Sequence, residues 1–92
     1  AAFSSAKFAL RAVSQSMARE LGPQGIHVAH FIIDGAIDTA FIKENFPDTY
    51  ALKEKDGILQ PDAIADAYWF VHTQHKSAWT HELDLRPYME KF

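Results

Sequence analysis

Cysteine is absent from this 92-residue chain. That absence removes a disulfide framework, a thiolate metal centre and a cysteine nucleophile together. It fits a reducing compartment, and the expected location is cytoplasmic. No apolar run approaches the length of a membrane span and no secretory h-region opens the chain, so no membrane role is expected. Charge of one sign is scarce as well: nine basic residues face twelve acidic ones, a net of −3, without runs. Such a balance carries no electrostatic footprint for nucleic acid. Internal repeats, low-complexity tracts and long linkers are also missing, which leaves one small domain.

What is present is apolar surface in quantity. Hydrophobic residues make up 48% and aromatic ones 13%, too much for a disordered chain. The pattern predicts a helix over 4–21, with Ser4 or Ser5 as N-cap and Gly22-Pro23 as its stop. Leu10, Val13, Met17 and Leu21 form an apolar stripe at helical spacing. Ala6, Ala9, Ala12 and Ser16 add a face of small residues. A helix so poor in polar surface is expected to be buried on more than one side.

A strand is predicted over 26–33, apolar at both alternations toward its end, as in a parallel sheet covered on both faces. The stretch 36–60 is looser and reads as a mobile loop with short helices near 39–45 and 48–55, divided by Pro47 and ended by Gly57. Pro61 opens a helix predicted over 61–75, and a second strand is predicted over 80–85. Helix, short loop and buried strand make the second half of a βαβ unit. Two strands are marginal alone, and a chain this short buries only about 60% of its unfolded surface. Something is expected to complete the sheet, either another copy or missing sequence. The abrupt start, Ala1-Ala2-Phe3-Ser4, reads as the back part of something longer.

Ser4-Ser5-Ala6-Lys7-Phe8-Ala9-Leu10, then Ala18-Arg19-Glu20-Leu21-Gly22-Pro23-Gln24-Gly25-Ile26-His27-Val28, resembles the C-terminal half of the short-chain dehydrogenase/reductase family. There a Tyr-x-x-x-Lys pair opens a long helix that ends in a Glu-Leu-Gly-x-x-Gly-Ile-x-Val turn into a buried strand. A Pro-Gly-x-Ile-x-Thr loop follows, matched here by Asp34-Gly35-Ala36-Ile37-Asp38-Thr39 except at its first position. The resemblance runs from about Phe3 to Leu85 and implies an α/β fold: part of a Rossmann-like, doubly wound parallel sheet. It also implies NAD or NADP in the complete protein and none for the isolated chain, with a small carbonyl or alcohol substrate.

Residue by residue, Lys7 takes the place of the family lysine, which binds the nicotinamide ribose and lowers the tyrosine's pKa. Phe3 stands where the catalytic tyrosine belongs, and a phenyl ring has no proton to give. Gly35 lies in the cofactor loop. Ile37 resembles the residue whose backbone meets the carboxamide, and Thr39 the hydroxyl near the phosphates. Asp34, in place of proline, brings negative charge toward an anionic cofactor. The family's glycine-rich loop and catalytic serine fall before Ala1. The chain alone is therefore expected to be inactive as a dehydrogenase, an atypical reductase segment.

Each of these residues has a plainer role available. Lys7 is otherwise a solvated first-turn lysine, unaided by the helix dipole. Ser4 and Ser5 read as caps before nucleophiles, since no base is near them in sequence. His27 and His30, three apart on a strand, point to opposite faces; His72 and His75, three apart on a helix, share one; His81 is a strand-surface residue. No metal site is expected. Phe41, Phe46, Tyr50, Tyr68, Trp69, Phe70 and Trp79 read as core and interface anchors before substrate-pocket walls. The rival to the reductase reading is a free-standing, non-enzymatic oligomerisation module from a truncated gene. A third, weaker reading is a small-ligand binder using the aromatic middle segment. Under the first two readings a homo-oligomer is expected.

Overall fold

A computed structural model of the chain describes residues 1–91. Helix α1 spans Ala2–Leu21, a run of alanine, leucine, arginine, methionine and glutamine with no breaker inside. It begins ahead of both serines. Ala1 holds the N-cap position, no side chain caps the helix, and the Ser5 amide donates to the Ala1 carbonyl at 2.9 Å. The cap expected from Ser4 or Ser5 is thus corrected: Ala2 and Phe3 carry nothing that stops propagation, so the serines lie inside the first turns. At the far end a 3₁₀ turn over Gly22–Gln24 and a left-handed Gly25, φ 84°, reverse the chain.

Strand β1 is His30–Ile33 and strand β2 is Glu82–Leu85. They pair in parallel, in the register His30↔Glu82 to Ile33↔Leu85. Both are shorter than the spacing predicts. Over residues 26–29 the ladder gives way to side chains: His27 Nε2 donates to the Thr80 carbonyl at 2.7 Å and His81 Nδ1 to the Val28 carbonyl at 3.2 Å. These imidazoles take carbonyls that a longer ladder would use, so strand pairing starts only where His30 N–H meets the His81 carbonyl at 2.7 Å.

Between the strands lies an excursion with a closed base. Its helices are α2, Ala40–Asn45, and α3, Pro47–Tyr50, which runs on into a 3₁₀ turn over Ala51–Lys55. Thr39 caps α2, accepting from the Ile42 amide at 3.3 Å, and Pro47 starts α3 anew. At the base, Ile37 and Leu59 form a parallel bridge, with Leu59 N–H on the Ala36 carbonyl and Asp38 N–H on the Leu59 carbonyl, both at 2.8 Å. The stretch that reads as mobile in sequence therefore holds Ile58 and Leu59, which are buried together with Val71 and the Pro87 ring.

Helix α4, Pro61–His72, stops three residues before the expected end. At its end the Thr73 hydroxyl turns back onto the Trp69 and Phe70 carbonyls at 2.9 and 3.3 Å, and the Gln74 amide bonds the Val71 carbonyl at 3.3 Å, the tighter pattern of a closing helix. Val71 of α4 is buried and Tyr68 stacks on Phe31 of β1 at 3.8 Å between centroids. Gln74 then ties the exit to β2, its amide bonding Thr80 in both directions at 2.8 and 2.9 Å.

Within this chain alone, α1 is not covered as its pattern expects. None of its residues is buried, and Leu10, Val13 and Met17 of its stripe stand 53%, 55% and 44% exposed. Two strands offer one helix too little surface to cover it. The consequence is visible in the whole chain, which exposes 6945 Å² where a compact 10.4 kDa protein exposes about 5,400 Å². The radius of gyration is 15.5 Å, against about 12 Å for a compact domain of this length.

Candidate functional site

Lys7 and Phe3 are four apart on α1, and the helix sets them side by side: Lys7 Nζ lies over the Phe3 ring, 5.5 Å from its centroid. Both face solvent, Phe3 being 74% exposed. An ammonium over a ring face is a weak electrostatic contact at such an exposed site.

One ion pair sets where this turn lies relative to the sheet. Arg11 donates to both carboxylate oxygens of Glu82, Nε to Oε2 at 2.6 Å and Nη2 to Oε1 at 2.8 Å. This bidentate bond holds the Glu82 carboxyl below the usual carboxylate range and raises the guanidinium further. Glu82 is opposite His30, the first residue of β1. The chain has therefore gone out along α1 and come back between Arg11 and His30, so helix and strand run in opposite directions. From Arg11, Lys7 lies about 6 Å and Phe3 about 12 Å further along the helix axis. The four residues of β1 advance about 13 Å the same way. The first turns of α1 and the loop after β1 thus share the carboxyl end of the strands, the end at which open α/β sheets hold ligands.

That loop carries Gly35, Ile37 and Thr39. Gly35 has φ 142°, a backbone setting that L side chains rarely adopt, and a Cβ added there would lie 2.8 Å from Pro87 Cδ. In the Ile37–Leu59 bridge both hydrogen bonds go to the flanking residues, so Ile37's own N–H and C=O point away from Leu59. Thr39 Oγ1 accepts from Ile42 N–H, which leaves its hydroxyl proton to donate. Asp38, between them, pairs with Lys53 Nζ at 3.0 Å. This contact, and then the Tyr50 hydroxyl at 3.5 Å, raise the Lys53 pKa. Asp34 does not stand as a bare charge, because Arg86 Nη1 bonds it at 2.8 Å.

The histidines have structural partners. His27 stacks on Trp79 with centroids 4.4 Å apart. His30 opens β1. His75 lies beyond α4, where it accepts from the Ser77 amide at 3.1 Å; it shares no helix face with His72, which corrects that expectation. His81 is half-buried, not a surface residue, with Nε2 enclosed and without a protein partner. Among the described residues no group of three or more potential ligands converges on a metal position, and no helix is long and apolar enough to cross a membrane. A cleft of about 780 Å³ is lined by His27, Phe31, Tyr68 and Trp79 among others. It takes in β1 and no residue of β2 or of the Gly35–Thr39 loop, so it lies along the strand edge that lacks a neighbour. Sequence spacing missed the Arg11–Glu82 and Asp34–Arg86 pairs, whose partners stand 71 and 52 positions apart.

No protein-family model and no curated protein matches the chain. A solved structure does: the crystal structure of a short-chain dehydrogenase from Rhodopseudomonas palustris, at 49% identity and a TM-score of 0.64. The match covers 96% of this chain and 30% of that one. Motifs, parallel sheet and sequence identity agree: the chain is similar over nearly its whole length to part of a short-chain dehydrogenase, and it spans 30% of the length of the dehydrogenase it matches.

Proposed function

We propose that this chain is the C-terminal, nicotinamide-side portion of an NAD- or NADP-dependent oxidoreductase acting on a small carbonyl or alcohol. What supports the reading is the Arg11–Glu82 pair: extended by regular helix and strand geometry, it sets Lys7 on α1 toward the same end of the sheet as the Gly35–Thr39 loop. The residues fit such a cofactor. Lys7 presents an exposed ammonium with three donors to ribose hydroxyls. Ile37 offers a backbone donor and acceptor to a carboxamide, and Thr39 a hydroxyl proton to phosphate oxygen. Gly35 lets the backbone pass close to Pro87 on the way. A nicotinamide held there supplies hydride transfer.

The chain's own contribution is binding and orientation, because Phe3 cannot exchange a proton with substrate. With the tyrosine gone, the proton must come from a group elsewhere in the complete protein or from water, and turnover is slow. The segment after Thr39, with Phe41, Phe46 and Tyr50, is the substrate-side cover. In the complete protein Lys7→Ala should weaken NAD(P)H binding, followed by the cofactor's fluorescence, and Phe3→Tyr should raise turnover. Unchanged binding in Lys7→Ala would sink the cofactor reading.

A second reading, self-association without catalysis, is favoured by the exposed α1 stripe and by the roughly 1,500 Å² of surface beyond a compact chain's share. An area of that size on one partner matches a large, stable subunit interface. Self-association is common to both readings, since a cytoplasmic homo-oligomeric reductase would also associate; NAD(P)H-linked turnover in the complete protein is what separates them.

A further inference from the structure

The loop from Gly35 to Thr39 starts from Asp34, where the family pattern has proline. A proline fixes its own φ and donates no backbone hydrogen bond. Asp34 works differently on both counts. Its N–H donates to the Leu85 carbonyl at 2.9 Å, adding a rung to the β1–β2 ladder that a proline would forbid. Its carboxylate accepts from Arg86 Nη1 at 2.8 Å. Arg86 is itself held flat by Asp84, which accepts from Nε at 3.2 Å and from Nη2 at 2.5 Å. The Arg86 side chain is only 19% exposed. A planar guanidinium gripped along one edge loses little further freedom when it bonds a second carboxylate. One residue on, Gly35 passes against Pro87. The entry to the loop is thus fastened to the end of β2 at three successive points: a backbone bond, an ion pair and a steric contact.

The geometry points to Asp34 and Arg86 as positioning residues for the Gly35–Thr39 loop, the ion pair taking over from the family's proline the task of fixing the angle at which the loop leaves β1. The effect on cofactor binding rests on the function proposed above; the effect on the loop rests on this geometry alone. The pair also lessens the charge an acidic residue brings toward an anionic cofactor: Arg86, shared with Asp84, offsets part of it at contact distance.

Hydrogen exchange on the complete protein tests it, because Asp38 and Leu59 N–H report directly on the base of the loop. Arg86→Gln is expected to speed exchange at these two amides about tenfold, the scale of one charge-assisted hydrogen bond, and to leave α1 amides unchanged. The cofactor KM should rise by a similar factor with kcat unaltered, and Arg86→Lys should recover part of both losses. Asp34→Asn should produce the same pattern, and Arg86→Gln should add little on that background. Unaltered exchange at Asp38 and Leu59 overturns the proposal. So does equal acceleration throughout α1, which would assign the pair to global stability. Loop acceleration in a protein that binds no nicotinamide cofactor even as wild type upholds the positioning role while refuting the cofactor reading.

Discussion

The same methyl group added at two glycines should move stability in opposite directions. At Gly35 the backbone has φ 142°, and the new Cβ would meet Pro87 Cδ at 2.8 Å and Cγ at 3.3 Å. Neither obstacle is the far end of a flexible side chain, since Pro87 is a buried ring. Holding alanine at such a φ costs about 1–3 kcal/mol, and forcing an atom into a packed contact costs about 1–3 kcal/mol more. Gly35→Ala should therefore lose roughly 2–6 kcal/mol, against a typical total of about 5–15 kcal/mol. At Gly22 φ is −52° and ψ −48°, an ordinary helical setting, and nothing lies within 4 Å of an added Cβ. Gly22→Ala should gain about 0.4–1 kcal/mol by restricting the unfolded chain. Urea unfolding of the complete protein, read as a shift in midpoint at constant slope, separates the two. Midpoints that move together, or a Gly35→Ala variant as stable as wild type, would refute the reasoning about the loop entry.

Three further outcomes are expected. Glu82 titrates lower in the folded state because Arg11 bonds it, so its contribution to stability is complete above the unfolded carboxyl pKa of about 4.3 and is lost as pH falls through the folded value. Glu82→Gln should flatten that part of a stability-versus-pH curve, and an unchanged acid limb would count against the pair. Phe3→Tyr should raise NAD(P)H-linked turnover, because the phenol would stand where Lys7 Nζ now lies 5.5 Å from the ring centre; no gain would mean that protons move by another route. Light scattering should find the 92-residue chain self-associated, and a well-folded monomer would remove the oligomer reading.

Local pattern made α1, its Gly-Pro stop, the short α2 and the two strands legible, because each rests on residues close together in sequence; that the strands run parallel came from the helix-loop-strand order and the family resemblance. Boundaries failed where side chains compete with backbone. α4 closes at Thr73, where the next amide turns to the Val71 carbonyl, and His27 and His81 take carbonyls that would have lengthened both strands. The family motifs made Lys7, Phe3 and the Gly35–Thr39 loop visible as a set. What holds that set in place was not visible: Arg11–Glu82 sets the helix against the sheet and Arg86–Asp34 sets the loop, and neither pairing leaves a mark in local spacing. The exposure of α1 was unreadable for another reason, since a pattern says which face wants cover and nothing about whether cover is there.

The bridge between Ile37 and Leu59 has a consequence for how such a protein can change. It seals the base of the excursion with two backbone hydrogen bonds, so everything from Thr39 to Gly57 hangs from a fixed clasp. Closing a loop twice as long would cost only about 0.6 kcal/mol more. Under the function proposed above, the segment would be an exchangeable cassette: its length and side chains could be rewritten for a new substrate while the backbone at Gly35 and Ile37 stays where it is. Divergence in what the protein acts upon is thereby uncoupled from the loop that would meet the cofactor.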